Sequence, residues 1–293
     1  MAIPKEQLET WSNPGSQTKF KDAHESIRKA LEAYDWPKGV YYGVYLQGSY
    51  KNSTTTRNNS DVDLVVQLNS TFRKDLSRLS QAAKDRYDKD HNDATYHWED
   101  FRTDVFSALE QKDSLKAVQG NKCIKVETPY LNADVVVCMQ YRLYNSYNTQ
   151  YGEDYIEGMI FNSKDGWITN YPKQHDANGT LKSDNTNGNY YSTVRIFKNM
   201  KSKLVKDGII NNKDAPSYFI ECLLYNVPNT NFVSNCEKTV YNVLKYLYDQ
   251  DIGEYNCQNG IRPLFGDEPD QWNIANAKKF INGTIKLWNN WGK

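Results

Sequence analysis

The sequence predicts an α+β fold: a mixed sheet flanked by helices, then a C-terminal helical lobe, with the active site in the cleft between them. Two observations predict it. Segments with the two-residue alternation of β-strands lie between Gly39 and Asn170, interleaved with apolar residues at the helical spacings of three and four. Beyond Tyr171-Pro172 the composition changes, and every patterned segment after the polar, Gly-containing stretch 174–189 is helical. The 293 residues accordingly divide into 1–172, a core with a leading helix and the sheet, and 173–293, a helical domain.

In chain order, Phe20, Ala23, Ile27, Leu31 and Tyr34 mark one face of a helix over residues 16–34, closed by Trp36-Pro37. A strand rich in Tyr and Val follows over 39–46 and leads into a tight turn at Gly48-Ser49. The polar segment 51–60 is a loop, and 60–66 a second strand. Residues 73–88 are highly charged, with Leu76, Leu79, Ala83 and Tyr87 as the few apolar anchors, and read as an exposed helix. Residues 96–111 are amphipathic through Trp98, Phe101, Val105, Phe106 and Leu109 and suit the back of the sheet. A hairpin pairs 122–127 with 132–141 across Thr128-Pro129-Tyr130-Leu131; 144–155 reads as a polar link, and 156–161 pairs with 166–170. In the second lobe Val194, Phe197, Met200 and Leu204 form one stripe, and further helices are expected over 217–226, 236–249 and 271–288.

The chemistry concentrates in Leu46-Gln47-Gly48-Ser49-Tyr50 and Ser60-Asp61-Val62-Asp63-Leu64-Val65-Val66. Strand residues two apart share a face, so Asp61 and Asp63 point one way and Val62, Leu64 and Val66 the other, with the two acids roughly 6–7 Å apart at Cα. Carboxylates that close repel each other unless a cation neutralises them, and hard oxygen ligands suit Mg2+ or Mn2+. A glycine after the first strand permits close backbone approach, and the Ser hydroxyl and turn amides can hold phosphate oxygens. A further acid, Asp134, interrupts the apolar run Ala133-Asp134-Val135-Val136-Val137, where an unpaired carboxylate is costly to bury. The bland alternative for Asp134 is a salt-bridged core residue.

Composition narrows the classes. Hydrophobic residues make up 39%, enough for a core, and no apolar run reaches the length of a membrane span. No apolar signal core is visible near Met1, so a cytoplasmic protein is expected. Five scattered cysteines without a Cys-x-x-Cys pair read as reduced packing residues. With 36 basic and 36 acidic residues there is no surplus positive charge of the kind that drives duplex binding, which disfavours a polynucleotide substrate or activator.

The Gly48-Ser49 turn and the Asp61-x-Asp63 strand, with eleven residues between Ser49 and Asp61, resemble the signature of polymerase β-like nucleotidyltransferases. The wider order of features resembles the bacterial cyclic-oligonucleotide synthases, relatives of animal cyclic GMP-AMP synthase called CD-NTases, near the uridine-using CdnE-like branch. It comprises the leading helix, Gly48-Ser49, Asp61-x-Asp63, Asp134, Asn170-Tyr171-Pro172-Lys173-Gln174-His175, Arg195-Ile196-Phe197-Lys198 and Pro216-Ser217-Tyr218-Phe219-Ile220-Glu221. That resemblance implies catalysis with two Mg2+ or Mn2+ ions held by Asp61, Asp63 and Asp134. It implies nucleotide binding by Gln47, Gly48, Ser49, Asn170, Lys198, Ser217 and Tyr218, with Lys198 on donor phosphates, the Ser217 hydroxyl on phosphate and the Tyr218 ring stacked on the donor base. Lys198 shares its helix with Lys201, Lys203 and Lys206, so a solvated helix face is the competing reading. Asn170 offers a donor and an acceptor that match the O4 and N3-H edge of uracil, or else caps the turn before Pro172.

The implied activity is the joining of nucleoside triphosphates, UTP and ATP foremost, into a cyclic di- or oligonucleotide messenger with release of pyrophosphate. The setting implied is antiphage (CBASS) signalling by a monomer in the cytoplasm, with no nucleic-acid activator, no membrane and a downstream effector that binds the product. The zinc-binding His and Cys insertion of the animal relative is missing from the sequence. The alternatives are a polymerase β-like enzyme that modifies RNA or a small molecule, and a nucleotide-binding regulator without catalysis.

Overall fold

The structure, a computed structural model, describes residues 2–15, 18–56, 62–268 and 270–292. In chain order its elements are α1 (Lys5–Ser12), α2 (Thr18–Glu32), β1 (Tyr42–Leu46), α3 (Gly48–Lys51), β2 (Val62–Asp75), α4 (Gln81–Asp90) and α5 (Trp98–Glu110). There follow β3 (Lys116–Gln119), β4 (Ile124–Glu127), β5 (Asn132–Asn148), β6 (Gly152–Ser163) and β7 (Gly166–Asn170), then α6 (Pro172–Asp184), α7 (Asn189–Lys206), α8 (Ser217–Tyr225), α9 (Cys236–Asp249) and α10 (Ile274–Asn289). Two compact units result. One lies within 17–47 and 60–172, the other within 1–16, 48–59 and 173–293.

In the first unit the strands form one mixed sheet in the order β1-β2-β5-β4-β3, with β6 pairing β5 and β7. The β2–β5 pair is parallel and the other pairings are antiparallel. Val62, Leu64, Val66 and Leu68 of β2 are fully buried, as expected of a central strand. Phe101 of α5 lies against Tyr42, with ring centroids 6.2 Å apart. Helix α5 therefore covers the sheet face that carries Tyr42 and, through the β1–β2 register, Leu64, Val66 and Leu68. Asp63 and Asp134 belong to the opposite face by the alternation of strand side chains. Trp98 fixes the start of α5 by donating its indole N–H to the Val137 carbonyl at 2.8 Å.

The second unit is built on α7, whose Tyr190, Val194, Phe197, Met200 and Leu204 are all fully buried at helical spacing. Residues from α8, α9 and α10 complete this core, and Ile3 and Leu8 join it from the N-terminal segment. Truncating Phe197 to Ala would cost about 3–5 kcal/mol, the usual penalty for emptying a buried aromatic site.

Several segments differ from the sequence reading. The chain passes from one unit to the other near Pro172, and residues 2–15 and 48–56 group with the helices, so the sheet unit is not the continuous stretch 1–172. Strand β2 continues to Asp75, and the helix expected over 73–88 starts only at Gln81, after Ser80 caps the Ala83 N–H. The supposed link 144–155 is the turn of a long hairpin: β5 runs to Asn148 and β6 begins at Gly152. Three of its tyrosines are packing residues: Tyr144 is fully buried beside Leu79, Ala83 and Tyr87, and Tyr147 and Tyr155 pack against the same cluster, whereas Tyr151 at the turn is exposed. The polar, Gly-containing stretch 174–189, to which the sequence pattern assigned no element, is mostly α6. Its buried positions are His175, Gly179, Lys182 and Ser183, so hydrogen bonds replace the apolar stripe that marks other helices. Lys182 donates to the Val227 carbonyl and Asn229 at 2.7 and 2.9 Å, and burial pulls its ammonium down to about 8.

Candidate active site

The acids of the sheet unit are brought together by register. Asp63 of β2 and Asp134 of β5 are direct partners on adjacent parallel strands, both half-buried. Neighbouring strands run roughly 4.8 Å apart, and laterally paired residues point to the same face. The row extends to both sides. Lys125 of β4 is the partner of Asp134, and the Gln47 N–H, just beyond β1, donates to the Asp63 carbonyl at 3.0 Å. Gln47, Asp63, Asp134 and Lys125 therefore stand in line across β2, β5 and β4 and the residue that follows β1. The Gln47 carboxamide oxygen is buried and has no hydrogen-bond partner among the described residues. Cys123, two residues before Lys125, shares this face. Burial, and next the negative Asp134 beside it, pushes its thiol up to about 12. Asp61 lies outside the described residues.

Lys125 was not singled out in the sequence, although the signal was there. The four-residue connection at 128–131 pairs Glu127 with Asn132 and thus Lys125 with Asp134. Alternation along β4 buries Ile124 and Val126 and leaves Lys125 exposed.

The Gly48-Ser49 segment opens the one-turn helix α3. Gly48 has φ +72°, a left-handed conformation that favours glycine, where the strand conformation of β1 gives way to α3. The segment closes on itself: Asn52 N–H donates to the Gly48 carbonyl at 3.1 Å, Thr54 N–H to the Ser49 carbonyl at 2.8 Å, and the Thr55 hydroxyl to Ser49 Oγ at 3.2 Å.

Lys198 is buried rather than solvated, and so is Lys201 one turn on; of the four lysines of α7 only Lys203 and Lys206 extend toward solvent. The Lys198 ammonium donates to Glu221 Oε1 at 2.5 Å, to Thr54 Oγ1 at 2.9 Å and to the Thr54 carbonyl at 3.3 Å. Those acceptors use all three of its protons. Glu221 also accepts from Thr54 Oγ1 at 2.8 Å, Asn52 Nδ2 at 3.3 Å and His175 Nε2 at 3.0 Å. Burial opposes ionisation of Glu221, but Lys198 and His175 outweigh it and hold the carboxyl well below its ordinary range. Arg195, one helical turn earlier, donates to the Ser12 and Ser53 carbonyls and anchors the same segment.

Tyr218 is half-buried in α8 next to the exposed Ser217, and its ring stacks on His175 with centroids 5.0 Å apart and planes at 24°. Asn259 donates to its hydroxyl at 3.3 Å. Asn170 closes β7. Its Oδ1 accepts the Tyr171 N–H at 2.8 Å, the local bond expected of a capping asparagine.

Asp63 and Asp134 fit a divalent cation. They offer hard carboxylate oxygens side by side on the face away from α5, and a bound charge of opposite sign would relieve their repulsion. Among the described residues no group of three His, Cys, Asp or Glu side chains forms a complete metal cage, and the third acid expected, Asp61, is outside them.

Comparison with known proteins matches both units. Residues 27–142 match the nucleotidyltransferase domain, and residues 177–289 match the cGAS/DncV-like nucleotidyltransferase C-terminal helical domain. The chain is 47% identical to the cyclic UMP-AMP synthase of Rhodothermus marinus, with each chain covered in full. It is 40% identical to the cyclic nucleotide synthase CdnE01 of Staphylococcus haemolyticus over 99% of this chain and 100% of that one. The solved structure of Rhodothermus marinus CdnE c-UMP-AMP synthase with Apcpp and Upnpp superposes with a TM-score of 0.89 at 45% identity, covering 99% of this chain and 98% of the other. With its mixed sheet, its helical unit and full-length identity of this order, the chain belongs to the CD-NTase family of cGAS/DncV-like nucleotidyltransferases, among the CdnE-like cyclic nucleotide synthases.

Proposed function

We propose that this enzyme joins UTP and ATP, releases pyrophosphate and closes the product into a uridine-containing cyclic dinucleotide, cyclic UMP-AMP. The observation that carries the reaction class is the lateral pairing of Asp63 with Asp134. Full-length identity of 47% to a cyclic UMP-AMP synthase supports the choice of product.

In this reading an acceptor ribose hydroxyl attacks the α-phosphorus of a donor nucleotide. The new P–O bond forms as the bond to the β-phosphate bridging oxygen breaks, the hydroxyl proton is lost, and pyrophosphate leaves. Repeating the step within the linear intermediate closes the ring. The chemistry supplied at Asp61, Asp63 and Asp134 by two Mg2+ or Mn2+ ions is neutralisation of phosphate charge and a lowered pKa for the attacking hydroxyl. Gln47, Gly48 and Ser49 hold donor phosphates, Ser217 adds a hydroxyl to them, and Tyr218 offers its ring to the donor base. Asn170 reads the uracil edge. Lys198 serves the phosphates indirectly, through the Thr54 segment that two of its protons hold.

The zero formal charge supports action without a nucleic-acid activator. No helix among the described residues is long and apolar enough to cross a membrane, which is consistent with work in the cytoplasm. There the product would be read by a downstream effector in antiphage (CBASS) defence. Incubating the enzyme with UTP, ATP and Mg2+ and treating the mixture with phosphatase tests the reading. A small phosphatase-resistant product supports it. Activity that appears only with an added RNA or small-molecule acceptor, or no metal-dependent pyrophosphate release, would overturn it.

A further inference from the structure

We propose that Glu221 is a positioning residue for the donor nucleotide: one buried carboxylate fixes the Gly48–Ser49 phosphate segment and the Tyr218 ring in a single rigid arrangement. The inference rests on the donor-binding roles given above to those residues and adds the group that couples them.

Glu221 is 4% exposed, so its charge is held by protein groups and not by water. One arm of its hydrogen bonding runs through Thr54 and Asn52 into the segment that starts at Gly48. Thr54 N–H in turn donates to the Ser49 carbonyl, so the threonine is tied to Glu221 by its side chain and to the candidate phosphate residue by its backbone. Lys198 braces this arm by bonding both Glu221 and Thr54. The other arm runs through His175 Nε2 to a ring stacked on Tyr218. With Nε2–H donated to the carboxylate, His175 is held in one tautomer and one plane, and the face of Tyr218 against it is backed by a fixed surface. The Glu221 carbonyl accepts the Tyr190 hydroxyl at 3.0 Å, which pins the backbone of the hub to the core of α7.

A buried ion pair is a poor way to gain stability, since desolvation offsets most of the attraction. Its advantage is geometric: a carboxylate with four side-chain partners permits only one mutual arrangement of the elements that carry them. Phosphates and base of one donor must be held at a fixed spacing, and Glu221 is the atom group common to both ends.

The test compares wild type with Glu221→Gln, Thr54→Val and the double variant, with Lys245→Ala, from an exposed ion pair, as control. Thr54→Val keeps shape and removes only the hydroxyl in one arm, so it remains informative if Glu221→Gln fails to fold. Binding of non-hydrolysable UTP and ATP analogues with Mg2+ is measured by calorimetry, and KM and kcat by pyrophosphate release. The expected result is a donor Kd and KM raised about ten-fold in each single variant, with kcat changed less. The double variant should be no weaker than the worse single, because both break one coupled unit. The proposal is overturned if folded Thr54→Val binds both analogues like wild type, or if the two effects multiply. Wild type that binds the analogues yet makes no cyclic product would refute the proposed function while the Kd comparison still decides the role of Glu221; wild type that binds neither analogue would refute both.

Discussion

Asp63 and Asp134, far apart in the sequence, are lateral partners on parallel strands, so two half-buried carboxylates share one face with a single strand spacing between them. Their mutual repulsion opposes folding and favours a bound cation, which makes the substitution test clean. Asp134→Asn should lower metal-dependent pyrophosphate release by at least about 10²–10³-fold. Its melting temperature should stay level or rise as repulsion is relieved. A large fall in stability with activity retained would instead make Asp134 a salt-bridged structural residue, with Lys125 its neighbour across the β4–β5 ladder.

Lys125 stands at the end of the same row, exposed and on the same face. Its positive charge favours the approach of a triphosphate to the two acids. Lys125→Ala should raise the KM for nucleotide by about three- to ten-fold at low salt, with less effect on kcat, and the difference should shrink at high ionic strength. An unchanged KM in steady-state kinetics at low salt would assign this lysine to the solvent.

What could be read from the chain depended on whether local chemistry alone fixed the outcome. The strand alternation around Asp63, the misplaced acid in Ala133-Asp134-Val135 and the α7 stripe carry their own periodicity, and each appears in the structure where its pattern puts it. Helix α6 escaped because it buries His175, Lys182 and Ser183, polar residues that count as solvent-facing until their partners are known. Glu221 was visible only as the end of a motif. Its partners come from residues 52–54, 175 and 198, and nothing local in Ile220-Glu221-Cys222 reveals that they converge. For the same reason the sequence offered Lys198 only as a donor-phosphate contact or a solvated lysine of its helix, whereas in the fold all its protons are bonded internally.

Base choice is tested at Asn170. Its carbonyl oxygen is engaged by the Tyr171 N–H, so in the proposed reading the group that donates to uracil O4 is the amide NH2. Asn170→Ser shortens the side chain and removes that donor. The ratio of kcat/KM for UTP to that for ATP or GTP should fall by about ten-fold or more in competition assays. An unchanged nucleotide profile would reduce Asn170 to a cap on the turn before Pro172.

Acid stability reports the Glu221 hub independently of nucleotides. The carboxyl is depressed in the folded protein below its ordinary value of 4.5, so it contributes stability that is fully present above that pH and is lost as the pH falls toward the lower folded value. At pH 7 Glu221→Gln should cost about 3–5 kcal/mol, as expected when one partner of a buried pair is neutralised. In thermal melts the gap between wild type and variant should narrow below about pH 4.5. A gap independent of pH would mean that the carboxylate is not held ionised by Lys198 and His175.

The most direct measurement is a mass spectrum of everything made from an equimolar mixture of ATP, GTP, CTP and UTP with Mg2+. The expected spectrum is dominated by one cyclic dinucleotide that contains uridine, at the mass of cyclic UMP-AMP, formed with two pyrophosphates per ring and lost in Asp134→Asn. Cyclic products made only of purines would contradict uridine use, and linear or acceptor-linked products without any ring would contradict the cyclic synthase itself.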